Sequence, residues 1–134
     1  MSRGILLIVE DQPDLRKLLR VTMSLEDLEI HEAEDGHAAL KLAAALQPDV
    51  MLLDVMMPGG LDGLQVCERI KSDPVLKKIR IIMLTARAQA SDVESALTAG
   101  ADGYLSKPFS PLELIDKVGS LLPKKLAAKR GLAP

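Results

Sequence analysis

Asp49-Val50-Met51-Leu52-Leu53-Asp54-Val55-Met56-Met57-Pro58-Gly59-Gly60, residues 49–60, is the stretch that decides the fold of this chain. Val50 to Leu53 is an unbroken aliphatic run that stops at a carboxylate and passes at once into turn formers. A strand with one wet face alternates apolar and polar residues, whereas a strand covered on both faces does not. The run therefore predicts a central strand that delivers Asp54 to its carboxyl end.

Working outward, Ile5 to Val9 repeats the design before Glu10-Asp11, and Ile79 to Leu84 repeats it before Thr85 despite the interruption at Arg80. Gly103 to Ser106, before Lys107-Pro108, is a shorter version. Leu28 to Ala33 alternates more and carries His31 and Glu32, which predicts an edge strand. Helical spacing fills the gaps. Leu15, Leu18, Leu19, Thr22 and Met23 follow the i, i+3, i+4 rule, with Pro13 and Asp14 suited to a first turn. His37 to Leu46 is an Ala-rich second helix, and Leu64, Cys67, Ile70 and Lys71 mark a third that ends near Pro74. Val93, Ala96, Leu97 and Gly100 mark a fourth; Leu114, Ile115, Val118, Leu121 and Leu122 mark a fifth, closed by Pro123. Strands alternating with helices imply a parallel α/β sheet covered on both faces, because parallel neighbours need crossovers.

A chain of 134 residues fits one domain, expected over 1–123, that buries roughly two thirds of its unfolded surface. Residues 124–134 carry Lys124, Lys125, Lys129 and Arg130 and read as a basic tail or the start of a linker. Tyr104 and Phe109 are the only aromatic residues, so stacking on bases is poorly supported, and a net charge of -2 gives no global attraction to nucleic acid. No direct nucleic-acid role is expected. The lone cysteine, Cys67, allows no internal disulfide and fits a reducing compartment, so the expected location is cytoplasmic. The run Ile5 to Val9 is too short for a membrane span. His31 and His37 read as surface residues.

In doubly wound sheets, ligands sit outside the carboxyl ends of the strands. The polar residues sent there are Glu10, Asp11, Asp54, Thr85 and Lys107. Singly, each has a plain reading: Asp11 or Thr85 as a helix cap, Asp54 as a turn former, Lys107 as a solvated charge. Together they recur at strand end after strand end, which chance explains poorly. Two carboxylates about 5 Å apart repel by roughly 3 kcal/mol at an effective dielectric near 20, so the acids need a cation. Lys107 supplies one charge, and an all-oxygen set without His or Cys favours Mg²⁺ over zinc.

Between Ile5 and Leu122 the chain resembles the receiver domains of two-component response regulators, through VEDQPDLRKLL, DVMLLDVMMPGGLDG, IIMLTA and GADGYLSKPFS. The resemblance implies a flavodoxin-like five-stranded sheet in the order 2-1-3-4-5 with five helices. It also implies that Asp54 accepts a phosphoryl group from a phosphohistidine on a sensor histidine kinase or phosphotransfer protein. Asp11 and Asp54 would bind Mg²⁺, with Glu10 direct or through water and Met56 through its backbone carbonyl. Thr85, the Ala86 amide and Lys107 would contact the phosphoryl oxygens, Tyr104 would turn inward as the switch aromatic, and Lys107-Pro108 would be cis. A downstream protein would then bind the surface of the fourth helix, fifth strand and fifth helix. Such a chain is a signalling phosphoacceptor with self-catalysed transfer and slow autodephosphorylation, rather than a turnover enzyme.

Three departures and three rivals accompany this reading. The loop Met57 to Gly63 has one residue more than the commonest receiver form. Gly103 and Leu112 stand where receivers that dimerise through salt bridges carry an acid and an arginine, which argues against that dimer. Met56 and Arg87 flank the path of attacking water in receivers, and here they predict a long-lived phosphoryl group. The rivals are a phosphatase, which usually wants a second acid where Met56 stands; an FMN binder, which wants a hydroxyl-rich loop where Glu10-Asp11 stand; and a receiver-like module that takes no phosphate.

Overall fold

A computed structural model describes residues 4–57, 59–86 and 90–123. The elements run β1 (Gly4–Val9), α1 (Pro13–Met23), β2 (Leu28–Ala33), α2 (Gly36–Leu46), β3 (Val50–Asp54) and α3 (Gly63–Ser72), then a 3₁₀ turn (Leu76–Lys78). They continue with β4 (Arg80–Thr85), α4 (Ala90–Thr98), β5 (Gly103–Ser106) and α5 (Pro111–Leu121). All strand pairs are parallel, in the order β2-β1-β3-β4-β5. The doubly wound, flavodoxin-like sheet predicted from sequence is the observed one, and β2 is an edge strand as expected.

The aliphatic runs work by parity. Leu7, Val9, Met51, Leu53, Ile81 and Met83 point to one face, where Ala39, Ala43, Val66, Cys67, Ile70 and Ala96 cover them from α2, α3 and α4. Leu6, Ile8, Val50, Leu52, Ile82 and Leu84 point to the other, against Leu19 and Met23 of α1 and Leu114 and Val118 of α5. Each aliphatic pair thus feeds both cores, and this removes any need for polar alternation.

Some expectations need correction. Leu18 is 57% exposed and Leu97 is 55% exposed, although both fit the apolar helix pattern. α1 packs mainly against β1, β2 and α5, with Leu19, Thr22 and Met23 as its buried residues, and Leu18 lies off that face. β4 starts at Arg80, not Ile79: Ile79 is buried but donates its N–H to Leu76 O, which makes it the end of the 3₁₀ turn. The basic tail from 124, Pro58 and Arg87 fall outside the described residues. No helix among the described residues is long and apolar enough to cross a membrane.

Candidate functional site

Glu10 lies one step beyond Val9, and Val9 pairs with Leu53, so Glu10 and Asp54 emerge side by side from β1 and β3. Leu84 pairs with Asp54 and Thr85 with Ser106, which brings Thr85 and Lys107 to the same end of the sheet. The Lys107 N–H donates to Thr85 O at 2.7 Å, and the Lys107–Pro108 peptide is cis. Asp11 follows at the β1 exit. α1 begins at Pro13 with Gln12 as its cap and no side-chain cap bond, so Asp11 is not spent on capping.

Carboxylate oxygens of Glu10, Asp11 and Asp54 all lie within 4.8 Å of one another. Lys107 Nζ stands 3.2 Å from Glu10 Oε1 and 3.5 Å from Asp54 Oδ2. Glu10 is fully buried and Asp54 nearly so, whereas Asp11 is half-buried toward solvent. Burial pushes the Glu10 carboxyl up to about 7, helped by a hydrogen bond with Asp54 and by its charge, and opposed by the Gln12 amide and Lys107. One ammonium therefore does not balance three acids. Burial and the neighbouring acid thus favour the protonated form of Glu10.

That deficit, the all-oxygen donor set and the spacing fit a hard divalent ion such as Mg²⁺. No cysteine or histidine takes part. Cys67 is buried under Ala99 O at 3.4 Å, and burial raises its thiol to about 11. His31 pairs with Glu29 on the edge strand, a surface role as expected.

Several supporting residues were not anticipated. The Met56 N–H donates to Asp54 Oδ1 at 3.2 Å and the Gln12 N–H to Glu10 Oε2 at 3.2 Å, so backbone amides orient both acids. A Cβ on Gly63 would lie 2.1 Å from Asp54 O, so only glycine lets α3 begin against the end of β3. Its N–H bonds Val55 O at 2.9 Å, and Asp62 with Gln65 forms a capping box behind it. In this loop Gly59 and Gly60 have φ of 91° and 80°, after which Leu61 turns inward and is buried. The only sequence signal for these contacts was the Asp62-Gly63 pair.

Thr85 is buried at the end of β4. Ala86 is exposed immediately after it. Tyr104 pairs with Met83 in the sheet and is exposed, beside a groove lined by Ser106, Glu113, Asp116 and Lys117.

The family model described as "Response regulator receiver domain" matches residues 6–119. The DNA-binding dual master transcriptional regulator RpaA of Synechocystis is 37% identical over 87% of this chain and 48% of its own length. A putative response regulator from Chloroflexus aurantiacus superposes with a TM-score of 0.85 at 34% identity, over 90% of this chain and 98% of that one. The chemotaxis protein CheY4 of Vibrio cholerae gives 0.84 at 28% identity, over 90% and 100%. This chain belongs to the response regulator receiver domain family, whose members are signalling proteins of two-component systems. It spans about half the length of the curated relatives it matches. The expectation of no nucleic-acid role finds no support among them, since RpaA is named as DNA-binding and extends well beyond the matched segment.

Proposed function

We propose that Asp54 is the phosphoacceptor of this receiver, and that its phosphorylation, with Mg²⁺ held by Glu10, Asp11, Asp54 and the Met56 carbonyl, changes the surface offered to a partner. The observation that carries this reading is the buried Asp54 carboxylate with the Lys107 ammonium 3.5 Å away and two further acids beside it. An Asp54 oxygen attacks the phosphorus of a phosphohistidine on a sensor kinase or phosphotransfer protein. The P–O bond forms, the P–N bond breaks, and the imidazole leaves and takes up a proton. Mg²⁺ supplies charge neutralisation when bound, and the rest of the catalysis is positioning. In this reading Lys107, whose ammonium lies 3.5 Å from Asp54, pairs with a phosphoryl oxygen. The Thr85 hydroxyl and the Ala86 amide are assigned to the others.

In this reading the drawing of Thr85 toward the phosphoryl group lets Tyr104 turn inward. Leu97, Tyr104 and Leu112 are all exposed, and together they give α4, β5 and α5 an apolar surface for a downstream protein. Reversing a 1:99 population takes about 5.5 kcal/mol, which two or three charge-assisted hydrogen bonds can supply. The domain is assigned to 1–123, with 124–134 as tail or linker.

The test is incubation with acetyl phosphate and Mg²⁺, followed by electrophoresis that retards phosphoproteins. One shifted band is expected, lost in excess chelator and nearly lost in Asp11→Ala. Undiminished labelling in chelator would remove the metal from the account.

A further inference from the structure

Arg16 is placed by α1 directly behind the acidic cluster, without touching any of its carboxylates. One arm of its guanidinium donates to the Glu10 carbonyl oxygen at 2.7 Å, and its Nε donates to Glu32 Oε1 at 3.2 Å. Glu32 belongs to the edge strand β2, and its second oxygen is held by the Arg20 guanidinium. On the other side of the same residue, the Glu10 N–H donates to Ala33 O at 3.1 Å. The Glu10 main chain is therefore gripped at both its donor and its acceptor. The acceptor grip comes from a side chain that is itself locked to a neighbouring strand.

The Glu10 carbonyl and the Asp11 N–H share one rigid peptide plane. Fixing that carbonyl fixes the plane, and the plane sets the direction in which Asp11 leaves β1. Asp11 is the half-buried acid of the cluster, and among the described residues no hydrogen bond or ion pair holds its side chain, whereas Glu10 is held by Lys107 and Gln12 and Asp54 by Met56. Resting on the reading of Glu10, Asp11 and Asp54 as the Mg²⁺ site, we propose that Arg16 is a positioning residue for the metal, acting through the Glu10–Asp11 peptide. A planar guanidinium spans a carbonyl and a carboxylate at once, which an ammonium cannot do with the same geometry.

Arg20 provides the control. It joins α1 to β2 through the same Glu32 and the Ile30 carbonyl at 3.0 Å, yet makes no bond to the Glu10–Asp11 segment. If Arg16 served only to tie α1 to the sheet, loss of either arginine would have the same consequence at the metal.

The experiment is calorimetric titration of Mg²⁺ into the unphosphorylated chain, for wild type, Arg16→Met, Arg16→Lys and Arg20→Met, with a thermal melt of each. Amide exchange at Asp11 is followed in the metal-free state. Outer-shell partners of a metal site commonly cost 10-fold or more when removed, so Arg16→Met should weaken Mg²⁺ by about 10-fold and speed exchange of the Asp11 amide. Arg16→Lys loses one of two contacts and should weaken Mg²⁺ by about fivefold, which keeps the proposal testable if the Met variant does not fold. Arg20→Met should leave Mg²⁺ affinity unchanged. Folded Arg16 variants that bind Mg²⁺ like wild type, or an Arg20→Met loss equal to that of Arg16→Met, would overturn the positioning role while leaving the site reading intact. A wild-type chain that binds no Mg²⁺ would instead sink the site reading, and this proposal with it.

Discussion

The two ends of one sheet treat their carboxylates in opposite ways. At the carboxyl end, three acids meet one ammonium, and the Glu10 carboxyl is pushed up to about 7, first by burial and then by Asp54. At the amino end, Asp102 is also partly buried, and burial alone would raise it. The Lys71 ammonium at 2.8 Å, the Ile81 amide at 2.8 Å and Arg80 at 3.2 Å outweigh that cost and hold it below the usual carboxylate range. Lys71 also donates to the carbonyls of Lys77 and Ile79, which ties the end of α3 to the entry of β4. The Asp102 carboxylate is matched by cations and an amide of the protein itself. The carboxyl-end cluster is left short of positive charge, a pattern that fits the proposed cation site.

The largest effect that should separate the two ends comes from Asp102→Ala, which leaves the Lys71 ammonium and the Ile81 amide without their acceptor. A loss of about 2–3 kcal/mol is expected in denaturant melts, with phosphoryl labelling retained. Unchanged stability would mean that the amino end is not the internally paired region described here.

A medium effect concerns pH. The folded-state value of Glu10, about 7, stands above its ordinary 4.5, so the folded protein holds this proton more tightly than the unfolded chain. Its contribution is present below 4.5 and is lost as pH rises through 7, so metal-free stability should decline across that window. Asp102 behaves inversely, because its lowered value keeps its contribution above 3.8 and loses it only in stronger acid. Glu10→Gln, which mimics the protonated acid, should flatten the decline in metal-free thermal melts, and Mg²⁺ should stabilise wild type more at pH 8 than at pH 5. A wild-type stability that rises between pH 5 and 7 without metal would contradict the charge deficit.

The smallest effect lies at the mouth of the site. Met56 is 73% exposed beside Asp54 and offers an attacking water no polar side-chain handle. Met56→Asn should therefore speed phosphate release by up to about tenfold, equivalent to about 1.4 kcal/mol of barrier. Equal release rates would remove Met56 from the control of phosphoryl lifetime. The companion expectation for Arg87 falls on a residue outside those described.

Much of this was legible because burial on both faces leaves a strong local mark. Val50 to Leu53 and Ile5 to Val9 announced central strands, and the acids that end them announced the cluster that the sheet brings together. Leu18 and Leu97 misled because helical spacing records which face is apolar, not how far the neighbouring element extends over it. Lys71 was counted with the apolar stripe of α3. Its stem does pack there, against Gly100, but its ammonium reaches Asp102, and that partnership has no periodic signature. The Arg16 grip on Glu10 O and the Met56 amide on Asp54 were invisible for a related reason: contacts to backbone groups depend on where the chain goes, not on residue type.

The central claim is tested most directly by trapping the phosphorylated side chain. After acetyl phosphate and Mg²⁺, borohydride reduces an aspartyl phosphate to homoserine, and peptide mass spectrometry locates it. The account predicts homoserine at position 54 alone, and no product from Asp54→Ala. Homoserine at Asp11 or Asp62, or equal labelling of Asp54→Ala, would contradict it.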